Sequence, residues 1–186
     1  AIIAEPVISA GGVLAPPPGY FASLPAAAPP RGLLLIFDEA QTAFGRLGHW
    51  FAASYLKVTP DIMTVSKTLG GGMPLAAVIT TPEIEDVCHR RGFAFYTSHV
   101  SDPLPSTVGL AVLETIATER LLERSQAMGE YLAQGLRELQ HRHAEIGDVR
   151  GMGLLRGIEL VRDRETREPH HALGALTTTR CLELGL

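Results

Sequence analysis

The sequence predicts an α/β fold with a mostly parallel sheet, and three observations carry that expectation. Short apolar runs alternate with helical patterns, the order that covers a sheet with helices. One run, Leu33–Phe37, is apolar throughout, as strands buried on both faces are. Hydrophobic residues make up 46% and charged residues 19% of the 186 residues, so the chain can bury a real core.

The elements follow in order. Ile2–Ile8 reads as a strand, broken by Pro6 and ended by Gly11-Gly12. Pro25, Pro29 and Pro30 stand where a helix should join it to the run at Leu33. A helix-interior proline costs about 3 kcal/mol, so any helix there is short or absent. Ile62–Val65 and Ala76–Thr80 are further strands. Residues 104–143 turn helical, first with Val108, Val112, Leu113 and Ile116 on one face. A second helix carries Leu121, Leu122, Met128, Leu132, Leu136 and Leu139, and strands return over Val149–Val161. Arg162–His171, charged and holding Pro169, reads as a surface turn. The change of texture implies two domains, residues 1–119 and 120–186.

Composition narrows the function. A net charge of −4 argues against nucleic acid or an anionic membrane as the partner. Basic residues are 14 Arg against two Lys, Lys57 and Lys67, which leaves few candidates for lysine chemistry. Cys88 and Cys181 are too few for a disulfide framework or a cysteine-rich metal site. With no signal peptide and no bilayer-length apolar run, a cytoplasmic protein is expected. The ends, Ala1-Ile2-Ile3-Ala4 without Met and Cys181–Leu186 without a closing signal, read as those of a fragment.

Two segments carry chemistry. Asp38-Glu39-Ala40-Gln41 follows the buried run, and a carboxylate at the C-terminal end of a parallel strand sits where α/β proteins bind ligands. Taken alone, Asp38 is more simply a cap of the next turn. Ser66-Lys67-Thr68-Leu69-Gly70-Gly71-Gly72 places a lysine between a short strand and three glycines. A lone lysine there is usually solvated; one desolvated by its surroundings is freed to form an imine. An acid and a lysine together are what pyridoxal 5'-phosphate needs, one against the ring nitrogen and one for the Schiff base.

The run Asp38–Arg46, then Pro60-Asp61-Ile62, then Ser66-Lys67, with Glu5-Pro6 upstream, resembles the core of the class III aminotransferases of fold type I. The match covers nearly the whole chain. The resemblance implies the back half of a large cofactor-binding domain followed by the start of a small one. It implies that Asp38 pairs with the ring nitrogen, that Gln41 bonds the phenolic oxygen beside Ala40, and that Lys67 is Schiff-base lysine and proton shuttle. It implies a homodimer or homotetramer in which Ser98, with Thr97 as the alternative, reaches a phosphate across the subunit interface. The substrates would be an amino acid and a 2-oxo acid, and the 186 residues alone would be inactive.

Within the family, Phe95–Pro105 resembles the segment of 2,2-dialkylglycine decarboxylases, and Ala40 fits the same group. The implied reaction is decarboxylation-dependent transamination with pyruvate as acceptor; the alternative is an ω-amino acid:pyruvate aminotransferase. That resemblance also implies potassium or another alkali cation held by Asp102, the Val100 carbonyl and Ser98, oxygen donors suited to a hard ion. The simpler reading makes Asp102 the cap of a helix starting at Pro103. Ala10 departs from the pattern, since a serine there would touch the substrate carboxylate.

A competitor from another class is a nucleic-acid-dependent ATPase, because Asp38-Glu-Ala-Gln41 also looks like a helicase motif. That activity needs a phosphate loop ending in Gly-Lys-Ser/Thr; here Lys67-Thr68 precedes the glycines. The histidines carry little: His141 and His143 point to different helix faces, His170-His171 lies in the charged turn, and Trp50 reads as core.

Overall fold

The computed structural model describes residues 1–27, 32–100 and 102–186. Four strands form the main sheet: β1 (Ile2–Ala4), β2 (Leu35–Asp38), β3 (Ile62–Val65) and β4 (Ala77–Thr80), in that spatial order. β1, β2 and β3 are parallel, with Ile3 opposite Ile36 and Asp38 opposite Thr64. A 3-10 turn over Lys67–Gly70 reverses the chain after β3, helped by Gly71 at φ +54°, so β4 runs antiparallel. Glycine takes that left-handed conformation without the clash a side chain would bring.

Proline explains where the structure departs from the expected bounds. β1 stops at Ala4 instead of reaching Ile8, because Pro6 has no N–H to give the ladder. Ile8 instead forms an isolated antiparallel bridge with Leu14 across a tight turn. The helix α1 (Tyr20–Ala27) is eight residues long, short as expected; Pro29 and Pro30 lie outside the described residues.

Three apolar clusters hold these elements. Phe21, Leu35, Phe37, Ala53 and Val58 join α1, β2 and the short helix α2 (Ala52–Leu56). Phe37 is fully buried, and truncating such a residue to alanine costs roughly 3–5 kcal/mol. Ala43, Phe44, Val65, Leu69 and Ile116 make the second cluster, with Trp50, Val112 and Leu113 packed on it. Val7, Leu47 and Ala52 make the third, reached by Met152 and Leu155.

After α3 (Pro82–Arg90) come the long helices α4 (Pro103–Thr118) and α5 (Leu121–Arg142). In α4 the expected face is the one used: Ile116 is buried, and Val112 and Leu113 pack on the second cluster. In α5 the expected leucine face holds at its start, where Leu121 and Leu122 pack on the second cluster, and is corrected further along. Ser125, Gly129 and Ala133 are the buried residues, spaced by four, whereas Met128, Leu132 and Leu139 are exposed. The cause is a close backbone approach. A Cβ on Gly129 would lie 2.2 Å from the Gly153 carbonyl oxygen, so only small residues fit.

Gly153 belongs to the turn of a hairpin, β5 (Ile146–Met152) and β6 (Leu155–Leu160), which forms a separate two-stranded sheet. Arg162–Pro169 is exposed, and α6 (His171–Glu183) follows. Among the described residues no helix is long and apolar enough to cross a membrane.

Candidate functional site

The parallel pairing of β2 and β3 brings two of the expected residues to neighbouring strand ends. Asp38 closes β2 opposite Thr64, and Lys67 stands two residues beyond the end of β3. The Asp38 Oδ1 atom accepts hydrogen bonds from the Ala40 N–H and the Thr64 hydroxyl, both at 3.1 Å. Among the described residues Oδ2 accepts none, so one carboxylate oxygen is anchored and the other is available. Ala40 and Gln41 are half-buried just beyond.

Lys67 is exposed, where the sequence argument allowed for a desolvated amine. Its backbone takes φ +50°, uncommon for a residue other than glycine. The reason for the exposure is local: Lys67 opens the 3-10 turn and only Leu69 and Gly70 of that turn reach the core. Lys67, Thr68 and Gly71 line one side of a cleft of about 850 Å³, with Phe44, Arg46 and helices α4 and α5 on the other sides. Asp38, Ala40 and Gln41 do not line it, so Lys67 is the expected site residue that this cleft contains.

The residue that sequence reasoning passed over is Glu39. Its side chain is fully buried. Oε2 accepts from the Thr42 hydroxyl and the Ala52 N–H, and Oε1 from the Ala53 N–H, each at 2.8 Å. The Glu39 N–H donates to the Thr64 carbonyl at 2.9 Å. A buried carboxylate needs such donors, since its desolvation would otherwise cost several kcal/mol. The signal was present in the sequence: an acid directly after a fully buried run, beside another acid, cannot leave both side chains in water.

Ser98 and Val100 are exposed ahead of α4, and Asp102, which precedes its first residue, is half-buried. Asp102 Oδ2 meets His99 Nδ1 at 2.8 Å, so the carboxylate is engaged by a neighbouring side chain. Asp102 precedes α4 without a side-chain cap; its carbonyl accepts from the Ser106 N–H and hydroxyl instead. The cap reading is corrected accordingly. The described residues hold no group of three or more His, Cys, Asp or Glu that could hold a metal ion.

Upstream, Glu5 accepts from the Ser9 N–H and hydroxyl at 3.4 and 3.5 Å, and Ala10 is exposed. The loop that carries Ala10 is tied to the β5–β6 hairpin. Arg150 Nε donates to the Gly12 carbonyl at 2.6 Å, and Nη1 to Glu159 and Asp148 at 2.5 and 2.9 Å. The hydrogen bond to Glu159, reinforced by Asp148 and partly offset by burial, raises the Arg150 pKa further above its ordinary value.

Similarity to known proteins points the same way as this geometry. The family model described as "Aminotransferase class-III" matches residues 1–186. An aminotransferase of Schizosaccharomyces pombe is 45% identical over 185 residues, covering 100% of this chain and 41% of the relative. The 5-aminovalerate aminotransferase DavT of Pseudomonas aeruginosa is 41% identical over 186 residues, covering 100% and 43%. Among solved structures, the (S)-enantioselective ω-transaminase of Thermomicrobium roseum superimposes with a TM-score of 0.85 at 38% identity, covering 90% of this chain and 38% of that one. The chain thus spans about two fifths of the length of these relatives. With its α/β sheet and its acid and lysine at adjoining strand ends, the chain belongs to the class III aminotransferases.

Proposed function

We propose that the whole protein is a pyridoxal 5'-phosphate-dependent aminotransferase that moves an amino group from an ω-amino acid to a 2-oxo acid such as pyruvate. The observation that carries this reading is the Asp38–Lys67 arrangement: a half-anchored carboxylate and an accessible amine at the ends of paired parallel strands. The donor set fits the cofactor. Asp38 Oδ2 is a free acceptor for a protonated ring nitrogen, and the Lys67 amine is open to a carbonyl carbon. Gln41, beside Ala40, would bond the phenolic oxygen.

Bound pyridoxal phosphate would supply a cationic ring able to accept the electron pair of the substrate bond being broken. The chain's own residues do the rest. Thr64 and the Ala40 N–H hold Asp38 so that Oδ2 keeps its aim. Lys67 Nζ carries the proton to and from the substrate carbon bearing the amine, which is general acid–base work. In a homodimer, the exposed Ser98 would donate to the phosphate held by the other subunit. Residues 1–119 would serve as the cofactor-binding part and 120–186 as the opening of a smaller domain.

The ω-amino acid preference is supported by the two relatives whose names specify such substrates, 5-aminovalerate and ω-transaminase. Decarboxylation of 2,2-dialkylglycines and its alkali cation draw less support. Ala10 offers no hydroxyl to the substrate, and the Asp102 carboxylate is engaged by His99.

Two measurements on the whole protein test the reading. Borohydride reduction and peptide mass spectrometry should put a pyridoxyl group on Lys67; a label on Lys57, or none, would remove the central assignment. Incubation with 5-aminovalerate and pyruvate should convert pyruvate to alanine and the donor to its 5-oxo acid, without CO2 from 2-aminoisobutyrate. Release of CO2 and acetone would reinstate the decarboxylase reading.

A further inference from the structure

We propose that Glu39 is a positioning residue for the cofactor, acting through both groups that hold Asp38. This inference rests on the function proposed above and goes beyond it, since the Glu39 side chain is fully buried behind the residues that would face the cofactor.

Asp38 Oδ1 has two donors, the Thr64 hydroxyl and the Ala40 N–H. Glu39 fixes each of them separately. Its N–H donates to the Thr64 carbonyl, which pins the β3 residue whose hydroxyl reaches Asp38. Its carbonyl accepts from the N–H groups of Thr42 and Ala43 at 3.3 and 3.1 Å, and its Oε2 accepts from the Thr42 hydroxyl. Those bonds close the turn in which Ala40 and Gln41 lie. The same carboxylate then bonds the first two N–H groups of α2, Ala52 and Ala53, across 13 and 14 residues of chain. One buried side chain therefore ties the ligand-bearing turn to a rigid element. Asp38 keeps its direction because Glu39 leaves its two anchors no freedom.

A carboxylate is required for this, because the Thr42 hydroxyl and the Ala52 and Ala53 N–H groups all donate and need acceptor oxygens. In Glu39→Gln one oxygen becomes an NH2 group, which faces a donor and leaves a buried N–H without a partner. The turn must shift, and the aim of Asp38 Oδ2 at a ring nitrogen shifts with it. Thr42→Val is a milder break, removing one donor while keeping shape and charge.

The test uses the whole protein, titrated with pyridoxal phosphate labelled with ¹⁵N in its ring. In the parent protein the ring-nitrogen resonance should sit at its protonated position. Glu39→Gln should weaken cofactor binding by about tenfold or more, the scale of one lost charge-assisted hydrogen bond. It should also move the resonance toward the unprotonated position. Thr42→Val should move both readouts in the same direction by about threefold in affinity. A variant that melts earlier yet keeps the parent's affinity and ¹⁵N position would make Glu39 a purely structural residue and overturn the proposal. If Glu39→Gln does not fold, Thr42→Val decides by the same two readouts. A parent protein that binds no cofactor would defeat the proposed function itself, a different result from either.

Discussion

The corner at Asp38–Thr42 and the segment at Phe93–Asp102 carry the two halves of the expected cofactor site, and they are built in opposite ways. At the corner Glu39 and Thr42 are fully buried, and the anchoring bonds come from the turn itself, from β3 and from α2. In the segment Phe93, Phe95 and Tyr96 are 65%, 71% and 86% exposed, and its side-chain bonds join neighbours such as His99 and Asp102. The difference teaches where each geometry is specified. The corner's bonds are made among its own buried groups; the segment presents apolar and polar groups outward.

The largest effect should fall at the corner's neighbour. Lys67→Ala in the whole protein should lower amino-transfer turnover by ~10²–10⁴-fold from loss of the proton-transfer group alone. Initial rates at saturating amino donor check this, and a rate within a few-fold of the parent would break the comparison at its chemical end.

Ser98→Ala sharpens the contrast from the other side. Losing a hydrogen bond to a charged phosphate is worth roughly 1.5–3 kcal/mol, so cofactor affinity should fall about 10- to 100-fold. The thermal midpoint of the apoprotein should not move, because Ser98 is exposed and makes no side-chain bond among the described residues. Calorimetry beside equilibrium dialysis separates the two; a lowered midpoint would mean that the segment is structural in its own chain.

The smallest effect belongs to Asp102→Asn. Its partner His99 has a side chain 85% exposed, and pairs so placed contribute about 0–1 kcal/mol. Chemical denaturation should find a stability change within that range, and rates should be equal in potassium and sodium before and after the change. A preference for potassium that vanishes in the variant would restore the cation reading.

The sequence was most informative where one local rule dominates. Ile62–Val65 was read to the residue, because a short β-rich run between Asp61 and a serine-lysine-glycine stretch has no competing pattern. Asp38 and Lys67 were expected as a pair because a cofactor needs an acid and a lysine together, and the parallel pairing of β2 and β3 brings them to neighbouring strand ends. The α5 face was read correctly at Leu121 and Leu122 but misread at Met128, Leu132 and Leu139, because leucine spacing says nothing of how close another backbone comes. Gly153 approaches Gly129 from 24 residues away, and that contact selects small residues. That one of Asp38 and Glu39 must be buried was readable, but the partners of Glu39 were not: Ala52 and Ala53 become a helix end beside it only once Phe37 and Ala53 have packed together. The exposure of Lys67 likewise depended on which turn residues point inward, a matter that three glycines leave open.

β4 has one further consequence, for how the chain behaves in a test tube. It ends the sheet among the described residues, pairing with β3 on one side, and Ala77–Thr80 are all exposed, Val78 by 69% and Ile79 by 47%. No lysine, proline or bulge interrupts it. Such an edge is an unguarded template for another strand. Handled as an isolated 186-residue polypeptide, it should tend to pair with copies of itself strand against strand.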